Sequence, residues 1–304
     1  MKTPWGDLPV ADAHVHFFSH RFFQLLTASS PNPLPVESLE GLLGWEMPPE
    51  DPEQLAARWV AELDKHGVEC ASLIASAPGD EDSVIAAVQA FPGRFRGCFM
   101  VNPCAPGAPD KTKRALEAGL RVICLFPAMH RYSIQSEPVE RLLEPVSSQT
   151  GACVFVHCGV LTVGVRKKLG LPSLFDMKYS NPIDLHAVAL RFPALPFIVP
   201  HFGAGYFREA LMLADLCPNV YLDTSSGNSW TRYLGPGMDL AAVFRMALDV
   251  TGPQRLLFGT DSSFFPRGWN AEIFRAQVQA LKSLPITAAD AASILGGNFH
   301  RLLS

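Results

Sequence analysis

Hydrophobic positions along this chain cluster in short unbroken runs, and each run gives way to a loop and then to a stretch with helical spacing. Eight runs recur, at residues 8–16, 68–75, 95–101, 120–126, 153–157, 196–201, 220–223 and 255–259. A continuous apolar run suits a parallel strand buried on both faces, since neither face meets water. Between the runs lie amphipathic segments, among them 52–66, 82–91, 138–150, 182–191, 206–217, 239–250 and 271–284. Eight strands alternating with helices predict an α/β fold, a (β/α)8 TIM barrel, formed by residues 1–304 as a single domain. The rival arrangement is an open doubly wound sheet, but the first strand is followed by neither GxGxxG nor a P-loop.

Two stretches exceed ordinary connections. Residues 19–51 carry "SSPNPLPVE" and "GWEMPPEDP", too rich in proline for one regular helix, and residues 161–181 read "LTVGVRKKLGLPSLFDMKYSN". They follow strands 1 and 5 at the C-terminal face, where barrel active sites are built, so long loops there are expected to form lids or pocket walls. The sequence contains no internal repeat.

Composition narrows the partner. With 48% hydrophobic and 18% charged residues the chain can bury a large core, and a net charge of −4 without a basic cluster disfavours nucleic acid or an anionic membrane surface. A small-molecule partner is expected. The opening "MKTPWGDLPVADAHVH" does not resemble a secretory leader, and no run approaches the ~20 apolar residues of a membrane span, so a soluble, cytoplasmic protein is expected. Seven cysteines, an odd number without a CxxC pair, argue against a disulfide scaffold or a thiolate zinc ribbon. Cys70, Cys98 and Cys153 sit inside apolar runs, where a thiol packs as a small hydrophobe.

Candidate chemistry lies at the strand ends. In "VADAHVHFFSH", His14 and His16 stand two apart, which puts both on one face of an extended strand, with Ala13 and Val15 expected toward the helices. His157 in "ACVFVHCG", His201 in "LPFIVPHFG" and Asp261 in "RLLFGTDSS" end strands 5, 6 and 8. A buried imidazole or carboxylate at such a place is costly unless paired or bound to metal. A lone barrel histidine is more often a hydrogen-bonded structural residue, and Asp261 alone would pass for a turn cap. All five, however, end strands of one predicted barrel on one face, and four nitrogens with one oxygen suit zinc, manganese or iron.

The segments "DAHVHFF", "VHCG", "PHFGAGYFREAL", "FGTDSSFFPRGW" and "GGNFHRLL" together resemble the amidohydrolase superfamily, in its amidohydrolase 2 branch, from strand 1 to the terminal helix. That branch includes aminocarboxymuconate-semialdehyde decarboxylase, related aromatic-acid decarboxylases, lactone hydrolases and other metal-dependent hydrolases. The resemblance implies that His14, His16, His157, His201 and Asp261 are metal ligands. Binuclear relatives bridge two ions with a carboxylated lysine or a glutamate near strand 4, but here Cys124 stands where many carry lysine, and residues 119–135 contain no acid. One divalent ion is therefore implied, zinc ahead of manganese or iron, with Cys124 read as core packing. Decarboxylases of the resorcylate type tend to replace the first histidine of strand 1 with glutamate, whereas this chain keeps His14.

The implied activity is hydrolysis of an ester, lactone or amide of a small cyclic or aromatic carboxylic acid by metal-activated water. Asp261 would serve as ligand and proton carrier, and His201 as ligand or oxyanion contact. Non-oxidative decarboxylation, or hydration, of an aromatic or unsaturated acid is the alternative; a non-catalytic metal-binding barrel is the second. A homodimer is the assembly such relatives often form. Phe17, Phe18, Trp45, Tyr206, Trp230 and Trp269 are expected to line the substrate pocket, and Arg267, six residues past Asp261, to clamp a carboxylate. The basic run Arg166 to Lys168 is read as a solvated insertion, and His20, His66, His130, His186 and His300 as surface or packing residues.

Overall fold

The computed structural model describes residues 1–28, 33–172 and 175–303. Eight strands form one sheet in sequence order: β1 Ala11–His16, β2 Cys70–Ala75, β3 Phe95–Val101, β4 Val122–Leu125, β5 Cys153–Val156, β6 Phe197–Val199, β7 Val220–Asp223 and β8 Leu256–Leu257. Every neighbouring pair is parallel. The two edges meet: Ala13 N donates to Phe258 O at 2.8 Å, Asp261 N to His14 O at 3.0 Å and His16 N to Ser262 O at 2.7 Å. Each predicted run contains one strand, and the fold is the expected (β/α)8 barrel.

The helices follow local rules. Pro52–His66 begins where Asp51 accepts a hydrogen bond from Glu53 N and proline occupies the first turn; it ends at Gly67, in a left-handed C-cap, and buries Leu55, Ala56, Trp59 and Leu63. Segment 182–191 divides into a 3₁₀ turn, Pro182–Leu185, and a short α-helix, His186–Arg191. The pattern does not single out helix Ala108–Glu117, whose sequence "APDKTKRALE" buries only Ala108, Thr112, Ala115 and Leu116, a narrow stripe on a polar segment.

Alternation along the strands separates two apolar layers. Cys70, Ile74, Cys98, Met100, Cys124, Cys153, Phe155 and Ile198 pack inside the barrel together with Phe299, Leu302 and Leu303 of the terminal helix. Ala71, Leu73, Phe95, Ile123, Val154, Phe197 and Leu222 belong to the outer layer under the helices. Cys124 is fully buried in the inner layer, and burial pushes its thiol well above the ordinary range. β1 departs from simple alternation. Its register with β2 shifts between Asp12 and Val15, so Ala13 joins Ala11 in the inner layer instead of facing the helices, while Val15 and Phe17 pack outward.

The long segment after β1 holds helices His20–Ala28 and Leu39–Leu43, and the one after β5 holds helix Gly164–Lys168. Phe22, Phe23, Leu26, Leu39, Leu43 and Trp45 of the first cluster with Val165 of the second, so the two insertions pack on each other. Residues 29–32 and 173–174 of these stretches lie outside the described residues. Among the described residues no helix is long and apolar enough to cross a membrane.

Candidate metal centre

Three of the predicted side chains converge. The ligand atoms of His14, His16 and Asp261 lie within 4.8 Å of one another: the two Nε2 atoms are 3.4 Å apart, and Asp261 Oδ1 is 3.2 Å from His16 Nε2 and 3.7 Å from His14 Nε2. The β1 bulge is what aims both imidazoles inward. Asp261 reaches them because its backbone takes a left-handed conformation, φ 58°, which its donation to His14 O holds in place. Gly259 is required beneath them, since a Cβ there would sit 2.9 Å from His14 Cβ and 3.0 Å from Ser225 Cβ.

Hydrogen bonds fix the role of each Nδ1. His14 Nδ1 lies 2.6 Å from Asp223 Oδ2, a carboxylate that only accepts, so Nδ1 donates. Ser76 Oγ spends its proton on Ile74 O at 3.0 Å, so the same hydroxyl oxygen accepts from His16 Nδ1 at 2.7 Å. Neutral His14 and His16 therefore both turn an Nε2 lone pair toward the same point. Two lone pairs facing across 3.4 Å beside a carboxylate repel unless a proton or a cation lies among them, and the donor set suits a divalent transition metal.

Electrostatics agree. Burial disfavours the charged form of His14, but Asp223 and Asp261 outweigh it and carry its pKa up to about 9, so the spot strongly attracts positive charge. Burial raises Asp261, but the His16 hydrogen bond and the charge of His14 prevail and hold the carboxyl well below the ordinary range. It stays ionised.

His157 and His201 line the same cavity, whose volume is about 380 Å³. The His201 ring centroid lies 4.9 Å from that of His14 and 5.4 Å from that of His157. His201 also has a left-handed backbone, φ 56°, and its Nδ1 donates to Ser225 O at 3.1 Å, again leaving Nε2 with a lone pair. The loop that follows β5 passes this turn closely: Val160 N donates to Ala204 O, and a Cβ on Gly159 would lie 2.1 Å from Gly203 O. The His157 ring stacks on Phe126 at 5.2 Å, and burial pushes its pKa well below the ordinary value, keeping it neutral.

The predicted pocket residues divide. Phe18, Trp45 and Arg267 line the cavity. Phe17 lies in the outer core, because adjacent residues of an extended chain point to opposite sides. Trp230 packs against Phe202 and Phe207, and Tyr206 is half-buried where helix Phe207–Leu216 begins; neither is among the lining residues. Trp269 lies beneath the site, donating from Nε1 to Asp12 Oδ2 at 2.8 Å. Lys168, read as part of a solvated insertion, instead lines the cavity.

Sequence reasoning missed the supporting shell. Asp223, fully buried, accepts from His14 Nδ1 and from Ser225 N, and Ser225 Oγ lies 2.9 Å from the Nδ1 atoms of both His14 and His201. Asp12 accepts from His14 N, Thr260 N, Thr260 Oγ1 and Trp269 Nε1, tying β1 to the segment that carries Asp261; burial pushes its carboxyl up to about 6 in spite of those bonds. Asp223 ends an apolar strand just as Asp261 follows one, and that shared signal could have found it.

Comparison with known proteins places the chain in a family. Solved structures with the same fold include a TIM-barrel protein from Bordetella bronchiseptica, 22% identical, with TM-score 0.66 over 97% of this chain and 98% of that one. An amidohydrolase from Burkholderia multivorans with bound zinc is 17% identical, with TM-score 0.64 over 97% and 99%. A probable 2-pyrone-4,6-dicarboxylic acid hydrolase from Acinetobacter baumannii with citric acid bound is 15% identical, with TM-score 0.62 over 97% and 99%. Among curated proteins, fluG of Emericella nidulans is 34% identical over 87 residues, 29% of this chain, and the match spans only 10% of fluG. The Amidohydrolase family model, Amidohydro_2, matches residues 11–304. Since that match starts at the first residue of β1 and takes in every strand of the barrel and both insertions, this protein belongs to the amidohydrolase family.

Proposed function

We propose that the protein is a metal-dependent hydrolase that attacks the carbonyl of an ester, lactone or amide of a small cyclic or aromatic carboxylic acid. The observation that carries this reading is the approach of His14 Nε2 and His16 Nε2 to 3.4 Å of each other beside the Asp261 carboxylate, at one side of an aromatic-walled cavity. His14, His16 and Asp261 would hold one divalent ion, zinc by preference, with His157 and His201 completing the set. Such an ion polarises a carbonyl as a Lewis acid and brings the pKa of water from 15.7 toward about 7.

The chain's own groups do the rest. Asp261, ionised in the fold, accepts the proton of the attacking water at its carboxylate and returns it to the departing oxygen or nitrogen. Asp223 and Ser76 hold the two imidazoles in the tautomer that leaves Nε2 free. With Nδ1 committed to Ser225 O, neutral His201 has no Nε2 proton to offer a developing oxyanion, which favours a ligand role for it over an oxyanion contact. Phe18, Trp45 and Phe264 supply a flat apolar wall, and Arg267 a fork for a carboxylate. The likeness to a probable 2-pyrone-4,6-dicarboxylic acid hydrolase, whose name describes a cyclic ester of a carboxylic acid, supports the substrate class.

The test is elemental analysis followed by a substrate panel. The purified protein is expected to hold about one equivalent of zinc or manganese per chain, to lose activity with a chelator, and to release acid from lactones or esters without releasing carbon dioxide. Carbon dioxide in step with turnover of aromatic carboxylates would replace hydrolysis with decarboxylation. A chain that binds no stoichiometric metal would remove both.

A further inference from the structure

Lys168 ends the short helix Gly164–Lys168, and its side chain lines the cavity that holds the metal donors. Its ammonium lies 5.2 Å from the centroid of the Trp45 ring and donates to Leu43 O at 2.8 Å, so the insertion after β1 steadies a residue of the insertion after β5. An ammonium has three N–H donors, and that carbonyl uses one. Arg267, the other lining cation, likewise spends hydrogen bonds on neutral oxygens, from Nη2 to Asp261 O at 3.3 Å and to Ser263 Oγ at 3.0 Å. Neither contact cancels a charge.

Among the described lining residues Asp261 has the one carboxylate, and His14 and His16 already draw on it. The cavity therefore presents, among the described lining residues, two cations that form no ion pair and one carboxylate already shared by two imidazoles, in addition to any dication at the centre. A neutral substrate would gain nothing from this arrangement, whereas an anionic one would relieve it. The two cations also differ in setting. Arg267 acts electrostatically on His16 and Asp261, while Lys168 stands on the insertions, against Trp45 and Leu43.

We propose that Lys168 is a specificity-determining residue that receives a carboxylate carried by the substrate apart from its hydrolysable bond. The word substrate rests on the hydrolase reading; the recognition itself does not, and the experiment separates the two. Titration calorimetry on the zinc-loaded protein compares benzoate with benzene-1,3-dicarboxylate. The wild type is expected to bind the dicarboxylate about tenfold more tightly, the scale of one charge-assisted hydrogen bond at a partly exposed site. K168M should erase that advantage and K168R should keep most of it, with benzoate binding unchanged in both.

Equal weakening of both probes by K168M would make Lys168 only a tether between the insertions and overturn the proposal. So would a wild type without preference for the dicarboxylate, or a preference that survives K168M. Because the readout is binding, failure to turn over any ester, lactone or amide would remove the hydrolase reading and leave this one standing, and loss of the dicarboxylate preference alongside intact turnover would do the reverse.

Discussion

At the inner end of the cavity His14 and His16 are held by hydrogen bonds of fixed direction: Asp223 and Ser225 on His14 Nδ1, Ser76 on the matching nitrogen of His16, and Asp12 on the backbone between β1 and β8. At the mouth the rings of Phe22, Phe18, Trp45 and Phe264 stack in succession, at 4.3, 6.1 and 4.1 Å between centroids, and two exposed cations lie over the last two rings. The first region belongs to the barrel and the second to the loops after β1, β5 and β8. Bonds of fixed direction at the floor preset a reaction geometry, while stacked surfaces at the mouth select what enters it. Changes at the floor should therefore reach metal binding and kcat, and changes at the mouth should reach KM.

The largest effect is expected at Asp261. Asp261→Asn preserves shape and one oxygen donor but removes the proton acceptor, so kcat should fall by about 10³-fold, within the usual span for a lost general base, while most of the metal stays bound. Steady-state kinetics with parallel metal analysis would check it, and near-normal kcat would assign proton transfer to another group. Asp223→Asn comes next. It trades an acceptor that holds His14 in one tautomer for an amide that can bond either way, and metal affinity should weaken by about 10–100-fold, read by competition with a chromogenic chelator.

The contrast between the two regions also explains how much of the molecule was legible in the sequence. The eight strands could be read because parallel strands are apolar on both faces, and the strand-end residues His14, His16, His157, His201 and Asp261 stood out as polar groups closing apolar runs. Asp223 closes "VYLD" in the same manner, but its use depends on an imidazole 209 residues away, a relation that spacing does not encode. The bulge in β1 is equally silent, because Ala13 fits either side of a strand. At the mouth the pattern told little. Trp230 and Trp269 have the composition of pocket walls and serve as packing under the face, while Lys168 has the composition of a solvated loop and lines the cavity.

Asp80 anchors the start of the mouth and gives a prediction in pH. Its Oδ1 accepts from Ser83 Oγ at 2.7 Å and from Ser19 Oγ at 2.6 Å, and Ser19 Oγ in turn accepts from Phe22 N at the start of the mouth's first helix. Oδ2 is buried with no partner. Burial pushes this carboxyl up to about 7 from 3.8, against the two hydroxyl bonds, with Glu81 adding to the rise and Arg21 opposing it. The folded state thus holds the proton more tightly than the unfolded one, so its stabilising contribution is complete below about pH 4 and is lost as pH climbs to about 7. Asp80→Asn should raise Tm at pH 8 by a few degrees, at roughly 2–4 °C per kcal/mol, with the gain shrinking toward pH 4. A gain independent of pH would show that the carboxyl is ionised throughout.

The smallest effect is expected at Trp45, and it tests the mouth most directly. The ring is stacked on Phe264 at 4.1 Å and nearly parallel to it, so Trp45→Leu keeps the site apolar while removing one flat face from the wall. Aromatic pairs contribute about 0.5–1.5 kcal/mol beyond area, so KM for an aromatic ester should rise about three- to tenfold. Because, among the described residues, the stack meets the candidate metal ligands through the Phe18 ring, 5.5 Å from that of His16, kcat should stay within about twofold. The same variant tested on a small aliphatic ester should show little change in KM, since such a substrate has no flat face to lose. A fall in kcat with KM unchanged would mean that the stack positions His16 rather than the substrate, and the division between floor and mouth would then run between Phe18 and Trp45 instead of between barrel and loops.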